Sequence, residues 1–285
     1  MERIPIRQIQ AARKESDLSE SFSIRNITDL HAGEDIIQAL HRHDFYYILA
    51  LQKGSGNHEI DFTPYTVGDH SLFFMRPGQV HRLALKAGTT GYLMQFGDSF
   101  YFPPDNGPNR TLRKASALNY YQFTDSGFQR VHRLLTYIFQ EYTGKKENYE
   151  EVIQANLGIF FIELSRQHSS APSGPVNLYL QERLETFLEL LKENFLRHKQ
   201  VSDYAAMLNL SPYQLNAMTK ATLGKTCSEL INDHIVLEAK RQLLATSNQV
   251  NRIADHLGYE DVSYFIRFFK KQTGHSPEAF RHNFR

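Results

Sequence analysis

The chain has 285 residues, 41% apolar and 22% charged, with a formal net charge of +1. That length and balance fit a two-domain globular protein and exclude a histone-like basic tail or a disordered chain. The single cysteine, Cys227, excludes an internal disulfide and fits a reducing compartment.

The N-terminal stretch, Met1 to Ser19, is charged and lacks the apolar segment of a signal peptide. No apolar run approaches the roughly twenty residues needed to span a bilayer. A cytoplasmic location without a membrane partner is expected.

From about Phe22 to Tyr101 the chain reads as β-structure. Tyr46-Tyr47-Ile48-Leu49-Ala50-Leu51 is an apolar run that ends at Gly54-Ser55-Gly56. His58-Glu59-Ile60-Asp61-Phe62 alternates and is expected to break at Pro64. Ser71 to Met75 stops at Pro77-Gly78, and Leu83 to Leu85 and Tyr92 to Phe96 follow. Short strands punctuated at such intervals argue for a sandwich or small barrel, assigned here to residues 1 to 105 as a regulatory domain.

Two elements in this region carry imidazoles. His41-Arg42-His43 precedes the strand at Tyr46, and Pro77-Gly78-Gln79-Val80-His81 follows the Phe73-Phe74 strand. This pairing resembles the two motifs of the cupin barrel. In metal-dependent cupins a glutamate follows the His-x-His by four or five residues, where this chain has Tyr47 and Ile48. One ligand of that set is therefore missing, so no metal and no cofactor are expected, although three imidazoles could still bind zinc or iron. The resemblance favours His41, His43, Tyr47 and His81 as polar groups at a barrel mouth that contact a small effector. A simpler alternative has His43 and His81 satisfying each other and nearby backbone.

Residues 106 to 168 read as helical. Phe128, Val131, Leu134, Leu135, Ile138, Phe139 and Tyr142 recur at helical spacing, and Gly144 is the expected stop. Asn148 followed by Glu151 suggests a capping box for a second helix bearing Val152, Ile153, Leu157, Phe160, Phe161 and Leu164. These wide apolar stripes suit either the barrel's flank or the same helices of a second subunit, making a homodimer. Small residues and prolines over residues 169 to 176 mark a linker.

The remainder, residues 177 to 285, contains one pattern written twice. Val201-x-x-Tyr204-Ala205-x-x-Leu208-x-Leu210-Ser211 is answered by Val250-x-x-Ile253-Ala254-x-x-Leu257-Gly258-Tyr259. Leu215, Met218 and Gly224 then answer to Phe265, Phe268 and Gly274. Each copy reads as helix, tight turn, helix, over 201–223 and 250–273. Ser211-Pro212 is a strong helix start, and small Ala205 and Ala254 let two helices cross closely. The second helices are expected to bury Leu215 and Met218, and Phe265, Phe268 and Phe269. Between the units, Cys227 to Leu244 lacks Pro and Gly and reads as one helix. Such a rod spans about 27 Å, which puts the two reading helices on the order of one DNA turn apart, about 34 Å. Charge agrees in sign: from Arg197 onward 12 Lys/Arg stand against 8 Asp/Glu. Cys227 at a helix start is either a small buried residue or a thiol activated by the helix terminus.

Residues 177 to 285 resemble the DNA-binding domain of the AraC/XylS family of bacterial transcription regulators. The likeness is carried by Ile253-Ala254-x-x-Leu257-Gly258-Tyr259, Tyr264-Phe265-x-Arg267-x-Phe269-Lys270-Lys271 and Gly274-x-Ser276-Pro277-x-x-Phe280-Arg281. The first unit departs from the pattern at Ala217 and Thr219, where an arginine and a bulky aromatic are common.

The overall reading is an α+β multidomain protein: an N-terminal cupin-like β-barrel, two connecting helices and a C-terminal all-α tandem helix-turn-helix domain. It implies a DNA-binding regulator, more often an activator, with double-stranded promoter DNA, RNA polymerase and a small-molecule effector as partners. Tyr213, Gln214, Asn216, Val262, Ser263, Arg267 and Lys270 are the expected DNA contacts. The alternatives are a metal-dependent cupin enzyme with an appended helical domain, and a constitutive DNA-binding protein whose barrel only dimerises.

Overall fold

Short alternating segments separated by tight turns build the first part of the molecule. The computed structural model describes residues 6–7, 21–31, 33–97, 100–101, 110–169 and 178–284. The chain divides into two units, Ile4–Pro172 and Ser173–Arg285, the latter together with Met1–Arg3. The expected linker, apart from Ser169, and most of Met1 to Ser19 lie outside the described residues.

In the first unit the strands are β1 (Ile6–Arg7), β2 (Phe22–Asn26), β3 (Ile36–His43), β4 (Tyr46–Lys53) and β5 (Gly56–Ile60). They continue with β6 (Thr63–Val67), β7 (Ser71–Met75), β8 (Val80–Leu85), β9 (Thr90–Phe96) and β10 (Tyr120–Gln122). A short helix, α1 (Thr28–His31), follows β2. They form two five-stranded sheets, ordered β1-β3-β8-β5-β6 and β10-β7-β4-β9-β2. Apolar side chains of both sheets meet between them: Tyr47, Leu49, Phe73 and Leu93 from one, Ile60, Leu83 and Leu85 from the other.

Three details of the strands differ from the sequence-based expectation. Pro64 does not break the β-structure. Asp61 and Phe62 turn the chain with φ of 47° and 67°, and Pro64 sits in β6, an edge strand where a missing N–H is tolerated. His41-Arg42-His43 is itself the end of a strand, β3. β10 lies beyond residue 105, in the stretch expected to be helical, and adds to the sheet along β7.

The helices of this unit are α2 (Arg110–Ala115), α3 (Asp125–Gly144) and α4 (Tyr149–Ser169). Phe128, Val131, Leu135 and Ile138 of α3 and Ile153, Leu157, Phe160, Phe161 and Leu164 of α4 are buried. They pack on Phe22, Ile48, Phe74, Met94 and Phe96, the outer face of the second sheet. Both helices thus flank the barrel. Gly144 stays helical, and the left-handed residue after it is Lys145 at φ 46°. Asn148 is also left-handed, at φ 56°, and lacks the extended backbone of the capping box expected there.

The second unit contains α5 (Leu178–Asn194), α6 (Val201–Met207), α7 (Pro212–Leu223) and α8 (Cys227–Ala245). It ends with α9 (Val250–His256), α10 (Val262–Thr273) and α11 (Pro277–Asn283). The internal repeat is visible residue by residue. α6 and α9 have 7 residues each, and α7 and α10 have 12 each. Each first helix closes the same way: Leu210 N donates to Ala205 O at 2.8 Å, and Tyr259 N to Ala254 O at 2.9 Å. Ala205 and Ala254 are both buried. Between the halves α8 runs 19 residues, about 28 Å at 1.5 Å per residue, and touches α7, α9, α10 and α11. Among the described residues no helix is long and apolar enough to cross a membrane.

Candidate nucleic-acid interface and histidine cluster

The second helix of each helix-turn-helix unit is positioned by its caps. Ser211 Oγ accepts from Gln214 N, and Gln214 Oε1 accepts from Ser211 N at 2.9 Å, a reciprocal box around α7. Asp261 Oδ1 accepts from Ser263 N at 2.7 Å and starts α10. Both helices end on a left-handed glycine, Gly224 at φ 69° and Gly274 at φ 80°. One face of each is buried: Leu215, Met218 and Thr219 on α7, Phe265 and Phe269 on α10. Phe268 is only half-buried, with its ring 5.8 Å from that of Tyr259.

The opposite faces carry the expected contact residues unequally. Tyr213 is 83% exposed. Ser263, Arg267 and Lys270 are exposed, and Val262 is half-buried. Arg267 lies 3.9 Å from Asp261, with both side chains mostly in solvent, so the pair is weak and does not hold the guanidinium back. Lys220, Tyr264 and Lys271 are exposed on the same two helices. Two residues depart from the expectation. Asn216 donates to Pro212 O at 3.1 Å and accepts from Cys227 N at 2.9 Å, so its amide ties α7 to the start of α8 rather than facing outward. The Gln214 amide is likewise engaged in the N-cap.

Cys227 resolves to the simpler of its two readings. It is buried, and burial pushes its thiol up to about 12, which outweighs any lowering from the helix terminus. The tail explains the Ser276-Pro277-x-x-Phe280-Arg281 motif. Ala279 N donates to Ser276 Oγ at 3.2 Å, and Phe280 packs edge-on to Phe269 at 5.6 Å. Arg281 donates to Leu243 O at 3.0 Å and Asn248 O at 2.5 Å, fixing α11 to the end of α8.

The first unit holds the second site. His41, His43 and His81 come together as expected, but deep between the sheets, each 3% exposed or less, rather than at a mouth. Their burial follows from strand register. β3 pairs Gln38 with Leu83 but His41 with His81, so a β-bulge inserts one extra residue between them. Ile36 and Gln38 face inward, and unbroken alternation would turn His41 and His43 out. The bulge restores them to the inner face. His43 Nε2 lies 2.8 Å from His81 Nε2, and His41 Nδ1 lies 2.7 Å from Ala39 O. Tyr47 stacks on His43 with ring centroids 5.2 Å apart.

A fourth imidazole, missed above, joins them. His58 Nε2 lies 2.9 Å from His81 Nδ1. The signal was present in the alternation His58-x-Ile60, which places His58 on the same inward face as a core isoleucine. Burial, with repulsion from His41 whenever that ring is protonated, pushes the pKa of His58 down to about 3, so it is neutral in the fold.

Two similar helix-turn-helix units joined by one helix, in a chain that also carries a double-sheet barrel, define a two-domain DNA-binding transcription regulator. Residues 204–283 match a helix-turn-helix domain model, and residues 31–140 match the AraC-like ligand binding domain. The HTH-type transcriptional activator RhaS of Enterobacter sp. (strain 638) is 26% identical over 248 residues, covering 85% of this chain and 86% of that protein. The uncharacterized HTH-type transcriptional regulator YfiF of Bacillus subtilis is 22% identical over 252 residues, covering 85% and 78%. Among solved structures, ToxT from Vibrio cholerae O395 aligns over 92% of this chain and 97% of its own, at 16% identity and a TM-score of 0.44. The chain belongs to the AraC/XylS family of transcription regulators, with a cupin-like N-terminal sensor domain.

Proposed function

We propose that this protein is a cytoplasmic, homodimeric transcription activator that reads promoter DNA through α7 and α10. A small-molecule effector bound within the barrel controls it, and it contacts RNA polymerase to raise transcription. The observation that carries the DNA reading is the matched pair of 12-residue helices, each capped by a left-handed glycine and each exposing polar and basic residues. Tyr213 of α7 and Val262, Ser263, Arg267 and Lys270 of α10 are the proposed contacts. Arg267 suits a guanine edge and Lys270 a phosphate.

Activation is favoured by the whole-length similarity to proteins named RhaS. The same relatives are regulators, which favours regulation over catalysis. The effector side rests on the polar groups His41, His43, Tyr47 and His81, joined by His58, among the apolar side chains between the sheets. Occupancy there shifts the fraction of molecules competent to bind adjacent half-sites. The dimer reading rests on α4. Ile159 and Ile162 are 50% and 42% exposed on the side away from the barrel, an apolar stripe suited to a second copy.

Footprinting and salt-dependent affinity measurements on Arg267→Ala and Lys270→Ala test the DNA contacts. Arg267→Ala relaxes base preference at one position and costs about 1–3 kcal/mol. Lys270→Ala weakens all sequences alike and lowers the salt slope by about one. Parental binding by both variants rules out this docking face.

A further inference from the structure

We propose that the barrel interior holds a site for a divalent transition-metal ion of borderline softness, such as zinc or cobalt, ligated by Nε2 of His41, His43 and His81, with His58 positioning His81. This goes beyond the DNA-binding reading and does not depend on it. The ligand atoms that these three histidines offer all lie within 4.8 Å of one another. Zinc takes imidazole nitrogen at about 2.0–2.1 Å, and three such ligands suffice when a fourth position stays open. In a tetrahedral arrangement those nitrogens stand about 3.3 Å apart. To hold an ion the His43–His81 pair, at 2.8 Å, must open slightly, and separations as wide as 4.8 Å must close toward the same spacing.

The tautomers of His41 and His81 suit ligation, while His43, whose Nε2 carries the proton shared with His81 Nε2 at 2.8 Å, must move that proton to Nδ1 when an ion binds. A ring nitrogen facing a carbonyl oxygen must carry the proton. His41 Nδ1 therefore donates to Ala39 O, and the lone pair of His41 sits on Nε2. The bulge that turns His41 inward thus also supplies the carbonyl that sets its protonation. His81 presents Nδ1 to His58 Nε2 at 2.9 Å, leaving its own Nε2 directed at His43. When His81 Nδ1 donates to neutral His58, its Nε2 is a ligand held in place by an outer partner, the usual arrangement for a metal-binding histidine. Phe45, Tyr47 and Phe73 surround the imidazoles with rings and keep competing water away.

The Tyr47 and Ile48 positions lack the carboxylate of metal-dependent cupins, and that absence argued against a metal. The set found here is all-imidazole, which selects zinc, cobalt, nickel or copper over magnesium and calcium. A three-histidine ion also keeps a coordination position for another ligand, so the site is compatible with an effector entering the same barrel.

The test uses the full-length protein, stripped with a chelator, unfolded in urea and refolded with excess Co²⁺ or Zn²⁺ so that burial does not block entry. After desalting, elemental analysis is expected to find one ion per chain, and the cobalt form to show visible d–d absorption. His43→Gln and His81→Gln, checked for native circular dichroism, are expected to lose the ion, whereas His275→Ala and His282→Ala, on the exposed tail, keep it. His58→Gln is expected to retain stoichiometry with affinity weakened about 10–100-fold. Refolded protein without bound ion, or ion retained in a folded His43→Gln/His81→Gln double variant, overturns the site.

Discussion

Lys199 Nζ donates to Gly258 O at 2.8 Å and to Leu196 O at 2.9 Å, so the residue that leads into the first helix-turn-helix unit holds the turn of the second. The ammonium also lies 4.9 Å from the Tyr259 ring centroid, a cation–π contact. Desolvation lowers the Lys199 pKa, but three acceptor groups compensate its burial. Gly258 is required twice over here, by its φ of 72° and by the approach of the Leu196 backbone.

Gly258→Ala is therefore expected to be costly. The added Cβ would stand 1.9 Å from Leu196 O, forcing the turn or the clamp to move. A loss of at least about 1–3 kcal/mol is expected from the left-handed backbone and its surroundings. Gly274→Ala has the same sign of φ but meets nothing within 4 Å, so it should cost only about 1–2 kcal/mol. Urea denaturation of the two variants, side by side, measures the difference. Equal losses would remove the role assigned to Leu196.

Tyr213 and Asn216 separate binding from folding on one helix. Tyr213→Ala removes a side chain 83% exposed and should change stability by less than about 0.5 kcal/mol while lowering promoter affinity. Asn216→Ala leaves Cys227 N without its side-chain acceptor and should destabilise the domain by about 1–2 kcal/mol. Thermal melts and gel-shift titrations on both variants check the pair.

The low pKa of His58 makes the protein acid-sensitive in a defined window. Above pH 6.5 the group is neutral folded and unfolded, and adds no pH dependence. Between 6.5 and about 3 the unfolded chain takes up a proton that the folded chain refuses. Stability therefore falls with falling pH at up to about 1.4 kcal/mol per pH unit from this residue. His58→Gln should flatten the slope between about pH 6.5 and pH 5.5 by roughly that amount in denaturant titrations. An unchanged slope would mean that His58 is solvated.

Cys227 should be silent toward thiol reagents in the native state, because it is buried and its thiol is pushed up to about 12. Labelling should appear only in denaturant, at the rate of unfolding. Fast native modification would contradict the packing of the α8 start.

Much of this architecture was legible in the sequence, and the reasons are local. The second helix-turn-helix unit is written in caps, glycines and aromatic spacing, all short-range. The barrel strands from Tyr46 to Phe96 show turn residues and apolar runs. What could not be read is set by distant partners. Asn216 looks like an outward polar residue until α8 is seen to lie against it. Lys199 meets Gly258 across the repeat. His41 and His43 sit at the end of a strand whose apolar alternation points them the wrong way.

That last conflict has a mechanical side. Because the ladder between β3 and β8 is interrupted after Gln38 and resumes at His41, the strand behaves as two short pieces meeting at a joint. The Ile36–Gln38 piece, with Ile37 79% exposed, is therefore expected to open independently of the piece that carries the imidazoles. Amide exchange should accordingly run faster at Ile37 and Gln38 than at Arg42 and His43. The edge of the barrel would then breathe around a still centre.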